Sequence, residues 1–154
     1  MNRVQKAIQL FNSNYNCSQA VLAAFADKAG LDEPTALKLA SGFGGGIGCS
    51  GGTCGALTGA VMAMGLCCGT ADSADKTTKI GVYRKVRQLT EEYKLRTGST
   101  ICRELMGFDM STAAGEKMSK QPGAFDRCDD FVRIAAEILE EMLNMQERED
   151  DTLR

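Results

Sequence analysis

The 154-residue sequence contains no histidine, and this absence excludes several kinds of functional site at once. A Ser-His-Asp triad, a Cys-His nucleophile pair, a Cys₂His₂ zinc site and a histidine-ligated haem all need that side chain. Histidine is also the residue whose ordinary pKa lies closest to neutral pH. Acid–base chemistry in this protein therefore requires a carboxylate, a lysine or a thiol with a shifted pKa.

Proline, aromatic residues and net charge are also scarce, with two prolines, 6% aromatics and a formal net charge of −2. Little proline favours helices, and a chain without a basic surface or stacking rings is a poor nucleic-acid binder. The N-terminal segment MNRVQKAIQLF lacks the continuous apolar core and the small-residue cleavage site of a signal peptide. We therefore expect a cytoplasmic protein that does not bind nucleic acid.

Apolar residues recur at helical spacing in most of the chain, and no stretch alternates with the period of a strand. The clearest stripe steps by four, three and four residues through Val82, Val86, Leu89 and Tyr93. The sequence predicts one all-α domain, residues 1–154, built as a compact bundle of about five to seven helices with a solvated tail at 145–154. The second helix is predicted to end near Gly30. A third is predicted from Pro34 to about Ser41, and a fourth from around Ser73 to near Gly98.

The middle of the chain has a different composition. Residues 42–52, GFGGGIGCSGG, are too rich in glycine for a regular element. Residues 53–68, TCGALTGAVMAMGLCC, are apolar on all sides but too short and too rich in small residues to be a membrane span. Because a helix that is apolar all round is usually buried, this segment is predicted to be the central helix of the bundle.

A ribbon of small residues recurs at every fourth position through Gly51, Gly55, Gly59 and Ala63, and such a ribbon lets another helix approach closely. Acidic and basic side chains are also divided unevenly between two segments of the chain. Residues 72–97 carry seven basic and four acidic side chains, whereas residues 126–154 carry four basic and ten acidic ones. This division can pair helices within one chain or between two chains. From the two features we predict a homodimer.

Seven cysteines are the feature that the sequence has in excess, and in a reducing compartment they indicate metal ligands or redox thiols rather than structural disulfides. Four lie where a helix is predicted to begin: Cys17, Cys54, Cys102 and Cys128. Asn16 and Asp126 are good N-caps for two of these helices. Free N–H groups and the helix dipole favour thiolate over thiol at such positions. We therefore expect the four to converge in one electropositive, sulfur-lined pocket. In the alternative interpretation they are small apolar packing residues.

The other three cysteines lead to different predictions. Cys67 and Cys68 lie near the C-terminal end of the predicted central helix, where the dipole disfavours a thiolate, and they are expected to pack. Cys49 lies in the glycine-rich segment, five residues before Cys54, and is a candidate resolving thiol or extra ligand. Residues 46–51 fit G-x-G-x-x-G, but the dinucleotide fingerprint needs a preceding strand, and the sequence predicts a helix there.

Residues 54–59, CGALTG, resemble the CGAxxG core of a redox-active protein family named for its C_GCAxxG_C_C cysteine pattern. The resemblance extends to NCSQAV at 16–21, to CREL at 102–105 and to Cys128. It implies a small bacterial or archaeal protein with a redox role. A similar module occurs in split-Soret cytochromes beside haem and a non-haem iron centre. The resemblance implies that the same four cysteines hold that iron centre, whereas haem does not carry over to a chain without histidine or a CxxCH motif.

Three hypotheses follow for the function. In the first, Cys17, Cys54, Cys102 and Cys128 ligate an iron–sulfur cluster, in preference to zinc, and the protein exchanges electrons with an unidentified redox partner protein. In the second, it is a thiol–disulfide redox protein in which Cys54 is the attacking thiolate and a neighbouring cysteine resolves the mixed disulfide. In the third, it is a non-catalytic, dimeric binding or assembly module. The sequence leaves open whether the protein is an oxidoreductase, an electron carrier or neither.

Overall fold

The computed structural model describes residues 1–154, and its elements are eight α-helices with no β-strand, which confirms the prediction of an all-α fold. None of the helices combines the length and the apolar character that a membrane crossing requires. The helices are α1 (Arg3–Asn12), α2 (Cys17–Ala24), α3 (Glu33–Ala40), α4 (Gly55–Cys68), α5 (Lys76–Thr97), α6 (Cys102–Met106), α7 (Ala113–Ser119) and α8 (Asp126–Thr152), and a 3-10 helix, Ser41–Phe43, follows α3.

Local side-chain bonds explain several of the helix starts. A capping box opens α2, in which the Asn16 side chain accepts from the backbone of Gln19 and the Gln19 side chain accepts in return. Thr112 caps α7 by accepting from the N–H of Gly115. This seven-residue helix was not predicted, and it brings the count to eight rather than five to seven. Conversely, α2 ends at Ala24 instead of near Gly30, and turns connect it to α3.

The segment predicted as a solvated tail is exposed but helical. Helix α8 continues to Thr152, and the side chains of residues 147–154 are all exposed. Lys28 Nζ lies 2.9 Å from a carboxylate oxygen of Glu147, which ties this end of α8 to the turn after α2. The last part of α8 is therefore solvated on its surface while its backbone stays in the helix.

Helix α4 packs against α2, α5 and α8, and its small residues make the contact with α2 a close one. A Cβ atom at residue 59 would lie only 2.6 Å from the carbonyl oxygen of Ser18 on α2. Toward the other end of α4 the helix is less completely buried, since Leu66 is 44% exposed. The side chains that α4 buries are all small or apolar: Ala56, Leu57, Ala60, Ala63 and Met64.

Two glycines of α4 offer a direct test of this close approach. We expect Gly59→Ala to lower the free energy of unfolding by about 2 kcal/mol, because the added methyl overlaps backbone that cannot yield without moving α2. Gly65 has open space beside it, so Gly65→Ala should stabilise the protein by up to about 1 kcal/mol through helix propensity. Urea unfolding of the reduced variants measures both, and equal effects of the two substitutions would contradict the packing.

Both features behind the homodimer prediction are used within the chain. Gly55 and Gly59 of the small-residue ribbon face α2, whereas Gly51 lies before α4 and faces Arg103 and Asp109. The basic α5 is paired with the acidic α8, where Arg96 Nη2 lies 2.9 Å from a carboxylate oxygen of Glu141. The homodimer itself stays a prediction, which light scattering at high micromolar concentration tests.

Candidate redox site

Two loop segments that are far apart in the sequence meet where α4 and α6 begin. Thr53 and Ile101 form an isolated antiparallel bridge. Beside it, the N–H of Cys102 donates to the carbonyl of Gly52 at 2.6 Å, and the N–H of Cys54 donates to a carbonyl of the facing segment at 2.8 Å. The bridge therefore places Cys54 and Cys102 on adjacent stretches of backbone, each at the start of a helix.

Cys17 reaches the same place from α2, of which it is the first residue. Gly55 leaves room for it, because a Cβ atom at residue 55 would overlap the Cys17 sulfur and would lie 3.0 Å from the carbonyl oxygen of Phe43. Any other side chain at position 55 would displace Cys17 from the start of α4. The glycine of the CGALTG segment is thus what allows Cys17 to approach Cys54.

Cys17 and Cys54 are neighbouring thiols, and each shifts the pKa of the other. The Tyr93 hydroxyl of α5 donates a hydrogen bond to the Cys54 sulfur at 3.2 Å. The neighbouring Cys17 thiol, this hydroxyl and the amides of Ala56 and Leu57 in the first turn of α4 lower the pKa of Cys54 to about 6, although the residue is only 5% exposed. The neighbouring Cys54 and burial raise the pKa of Cys17 well above its usual range.

The Tyr93 hydroxyl can be removed without disturbing the packing of its ring. We expect Tyr93→Phe to raise the pKa of Cys54 by about 1–2 units, because a hydrogen bond to a charged group contributes about 1.5–3 kcal/mol and one pKa unit corresponds to about 1.4 kcal/mol. Thiolate absorbance at 240 nm, followed against pH, measures the shift. Tyr83→Phe is the matched control, because Tyr83 lies on the same helix but is 58% exposed. An unchanged midpoint in Tyr93→Phe would remove the hydroxyl from the site.

The pKa values of Cys102 and Cys128 shift in the opposite direction to that of Cys54. Burial, followed by the neighbouring Cys54 thiolate, raises the pKa of Cys102 to about 11 and that of Cys128 to about 12. The Cys128 sulfur lies 3.3 Å from the sulfur of Met106, which joins α8 to α6. The expectation that every helix start favours a thiolate is therefore wrong for these two residues, since burial outweighs the helix N-terminus. It is wrong for Cys17 as well, because the pKa of that thiol is also raised.

Two expected helix starts also differ in detail. Asp126 is not the N-cap of α8 but its first residue; Phe125 occupies the cap position, and no side chain caps the helix. Cys128 is consequently the third residue of α8. Cys54 is itself the N-cap residue of α4 rather than part of its first turn. Its sulfur can therefore face the first-turn amides from outside the helix.

All four predicted cysteines, together with Cys49, line one cavity of about 840 Å³. Much of the remaining wall is aromatic or thioether: Phe11, Tyr15, Met106, Met110, Phe125 and Phe131. Asp126 and Asp129, in the first turn of α8, are the only charged side chains that line it. The cavity thus combines thiols, an apolar wall and negative charge. The prediction that its charge would be positive is wrong, because the side chains that line it include two carboxylates and no lysine or arginine.

The glycine-rich segment forms another part of the wall. Residues 45–49 all have φ between +57° and +73°, so the backbone turns left-handed through five residues, including the non-glycine residues Ile47 and Cys49. L-residues adopt this conformation at a cost of about 1–2 kcal/mol each. The turn carries Cys49 to the cavity wall, where this cysteine is exposed and lies within electrostatic range of Cys102.

Cys67 and Cys68 do not belong to this cavity. Both lie at the C-terminal end of α4, and the Cys67 thiol donates to the carbonyl of Lys28 at 3.7 Å. Burial raises the pKa of both thiols. All seven cysteines of the chain are free thiols.

The four cavity thiols do not form a ready set of metal ligands. No group of three or more cysteine, aspartate or glutamate side chains is arranged to hold a metal ion. Thiolate ligands of a tetrahedral zinc ion lie about 2.3 Å from it, so all four sulfurs must meet within a few ångströms of one another. As placed here, Cys17, Cys54, Cys102 and Cys128 share a cavity without fitting that geometry.

Comparison with known sequences assigns the family. A model of the family described as “Putative redox-active protein (C_GCAxxG_C_C)” matches residues 15–142, which include all four predicted cysteines. The chain belongs to this family. No curated protein and no solved structure matches the chain. A redox-active, cysteine-rich, all-α protein is therefore the description that the sequence family and the fold support together.

Tyr93 and Gly55 were not predicted to be parts of the site. Tyr93 was assigned only to the apolar stripe of its helix, where its spacing is that of a core residue. A buried tyrosine hydroxyl ordinarily needs a hydrogen-bond partner, and that requirement was the available signal. Gly55 was assigned to a helix–helix contact, which it makes, but the atom that it accommodates is the Cys17 sulfur.

Proposed function

We propose that the protein is a dithiol–disulfide redox protein in which Cys54 is the attacking thiolate and Cys17 is the resolving thiol. The observation that carries this proposal is that the Cys17 sulfur lies against Gly55, beside Cys54, while the Tyr93 hydroxyl donates a hydrogen bond to the Cys54 sulfur. A thiolate that exists at neutral pH beside a protonated partner is the arrangement that exchange chemistry requires. Cys102 and Cys128 stay protonated at that pH and do not compete as nucleophiles.

The reaction with a disulfide R–S–S–R takes two steps. The Cys54 thiolate attacks one sulfur, so that the R–S–S–R bond breaks, a Cys54–S–S–R bond forms and the first R–S⁻ leaves and takes up a proton. Cys17 then loses its proton and attacks the Cys54 sulfur, which releases the second R–S⁻ and closes a Cys17–Cys54 disulfide. Two protein thiols are oxidised and one disulfide is reduced to two R–SH, so that atoms and electrons balance.

Limited oxidation of the reduced protein tests the proposal. One equivalent of a small disulfide, followed by alkylation and peptide mapping, should give one dominant linkage, between Cys17 and Cys54. Cys17→Ala should instead retain the substrate as a stable mixed disulfide on Cys54. Oxidation that is distributed among all seven cysteines, or a dominant linkage that omits Cys54, would overturn the proposal.

A four-cysteine iron–sulfur centre is the second candidate, with zinc as the less favoured metal. Its support is that Cys17, Cys54, Cys102 and Cys128 all line one cavity and all fall within the family match. Against it stands the lack of a ligand arrangement among these thiols. Iron, sulfide and zinc analysis of protein purified without oxygen, with an absorption spectrum, decides between the two. One cluster per chain that is lost in each of the four Cys→Ser variants would replace the dithiol proposal.

The remaining proposals concern the setting of this chemistry. A cytoplasmic location would keep the seven cysteines as free thiols. A redox partner protein belongs to the cluster candidate, because electron transfer needs one. Helix α4 would be the central support of the site, since it carries Cys54 at its start and packs against α2, α5 and α8. If the four cysteines prove dispensable for chemistry, the assembly module, as a homodimer, takes the place of both redox candidates.

A further inference from the structure

All the charged side chains that line the cavity leading to Cys54 are negative. Its charged lining consists of Asp126 and Asp129, and no lysine or arginine lines it. Neither carboxylate takes part in an ion pair; Asp129 accepts only a neutral hydrogen bond, from the Asn12 amide at 3.2 Å. Arg127, which lies between them in the sequence, is directed over the ring of Phe131 at 5.7 Å and does not line the cavity.

The volume and the wall define the rest of the site. A cavity of about 840 Å³ is within the range of small-molecule sites, about 300–1,000 Å³, and such sites are lined mainly by apolar and aromatic side chains. Because Cys54 is only 5% exposed, a substrate reaches its sulfur through this cavity. The wall offers aromatic rings and thioethers to the body of the substrate and carboxylates to its polar end.

We propose that the substrate of this site is a small disulfide of neutral or positive charge with an apolar body, and that Asp126 and Asp129 exclude anionic disulfides. The inference rests on the proposed function and adds the substrate class to it. A cleft with charge of one sign concentrates ligands of the opposite sign and repels those of its own, typically by about tenfold or more in rate. The reaction is the two-step exchange described above, with R neutral or cationic.

Three disulfides of matched length test the proposal: cystamine, 2-hydroxyethyl disulfide and 3,3′-dithiodipropionate. Each places one group, respectively ammonium, hydroxyl or carboxylate, two carbons from sulfur. Their rates with the reduced protein are followed by the formation of the Cys17–Cys54 disulfide and are divided by their rates with free 2-mercaptoethanol, which removes differences in intrinsic reactivity. We expect the normalised rate to fall from the dication to the dianion by about tenfold or more, and the ratio to shrink in high salt.

Aspartate variants test which residues cause the difference in rate between the cationic and the anionic disulfide. In Asp126→Asn/Asp129→Asn the ratio should fall to within about twofold, because the charged lining is gone. Asp130→Asn is the control for position: it removes one carboxylate charge from the residue beside Asp129, but Asp130 pairs with Arg133 at 3.0 Å and does not line the cavity. It should keep the ratio of the unmodified protein.

The outcomes separate the two proposals. Equal normalised rates for the three disulfides, or a ratio that Asp130→Asn lowers as much as the double variant does, would overturn the substrate class and leave the dithiol chemistry intact. If Cys54→Ser releases R–SH from all three disulfides as fast as the unmodified protein does, the proposed function fails, and the substrate class fails with it.

Discussion

At pH 7 the Cys54 thiol is expected to be about 90% ionised, whereas an ordinary thiol is about 3% ionised at that pH. This thirtyfold difference follows from the Cys17 thiol beside Cys54 and from the hydrogen bond that Tyr93 donates to the Cys54 sulfur, which together lower the pKa of Cys54 to about 6. The thiolate absorbance at 240 nm should show one transition near pH 6 with the amplitude of a single thiolate. In Cys54→Ser that transition should be absent.

Alkylation by iodoacetamide at pH 6 gives a second measure of the same thiolate. Cys54 should react about tenfold faster than an ordinary thiol, because its larger ionised fraction outweighs the lower nucleophilicity of a more acidic thiol. Cys67→Ser is the matched control, since Cys67 lies outside the cavity and its pKa is raised. Cys17→Ala should move the transition to higher pH. A transition near pH 6 that persists in Cys54→Ser would assign the acidic thiol elsewhere.

The thiol pKa values also set the pH dependence of stability. Because the folded pKa of Cys54, about 6, lies below the value of about 8.5 in an unfolded chain, its contribution is full above pH 8.5 and is lost as the pH falls through 6. Cys102 and Cys128 have folded pKa values raised to about 11 and 12, so stability falls as the pH rises from about 8.5 through those values. Urea unfolding of the reduced protein should therefore give a maximum near pH 8–9.

Gly46→Ala is expected to lower the free energy of unfolding by about 4 kcal/mol, because two costs add at this position. Its φ of +73° costs an L-residue about 1–2 kcal/mol. In addition, the new Cβ atom would lie 2.5 Å from the nitrogen of Gly52 and 2.7 Å from the Cβ atom of Cys102, and relieving such an overlap typically costs about 1–3 kcal/mol. Urea unfolding of the reduced protein measures the loss.

Gly48→Ala separates the two contributions. Gly48 has nearly the same backbone conformation, with φ of +57°, but no atom lies within 4 Å of the position that its Cβ would take. We therefore expect it to lose only about 1–2 kcal/mol. Because Gly46 touches the segment that carries Cys102, Gly46→Ala should also make Cys102 accessible to alkylation, and Gly48→Ala should not. Equal losses in the two variants would show that the segment does not pack as described.

Local patterns in the sequence were sufficient to predict the all-α fold and the segments from which the cavity is built. Asn16 is a strong capping residue, and in the structure it is the N-cap of α2, which begins at Cys17 as predicted. Where the local signal was weak the prediction was less accurate. Helix α7 has only seven residues, and Asp126 resembles an N-cap in sequence although Phe125 holds that position.

The relation between the thiols could not be predicted, because it depends on contacts that are distant in the sequence. Which cysteine meets Cys54 is determined by how closely α2 approaches α4, and Gly55 sets that distance. The pKa of each thiol then follows from burial and from Tyr93 on a third helix. The helix-start pattern therefore treated the four thiols alike, and the thiol–disulfide hypothesis singled out Cys54 without naming its partner. In the structure the pKa of Cys54 is lowered and those of the other three are raised.

The Thr53–Ile101 bridge has a consequence for local unfolding. It joins residues about fifty positions apart through a few backbone hydrogen bonds, and the helix that it leads into, α6, has five residues. A short element with so few supporting bonds opens at a lower free energy than the long helices of the core. Hydrogen exchange at the amide of Cys102 should therefore be faster than at the buried amides of α4. The part of the wall that holds Cys102 can therefore open without global unfolding.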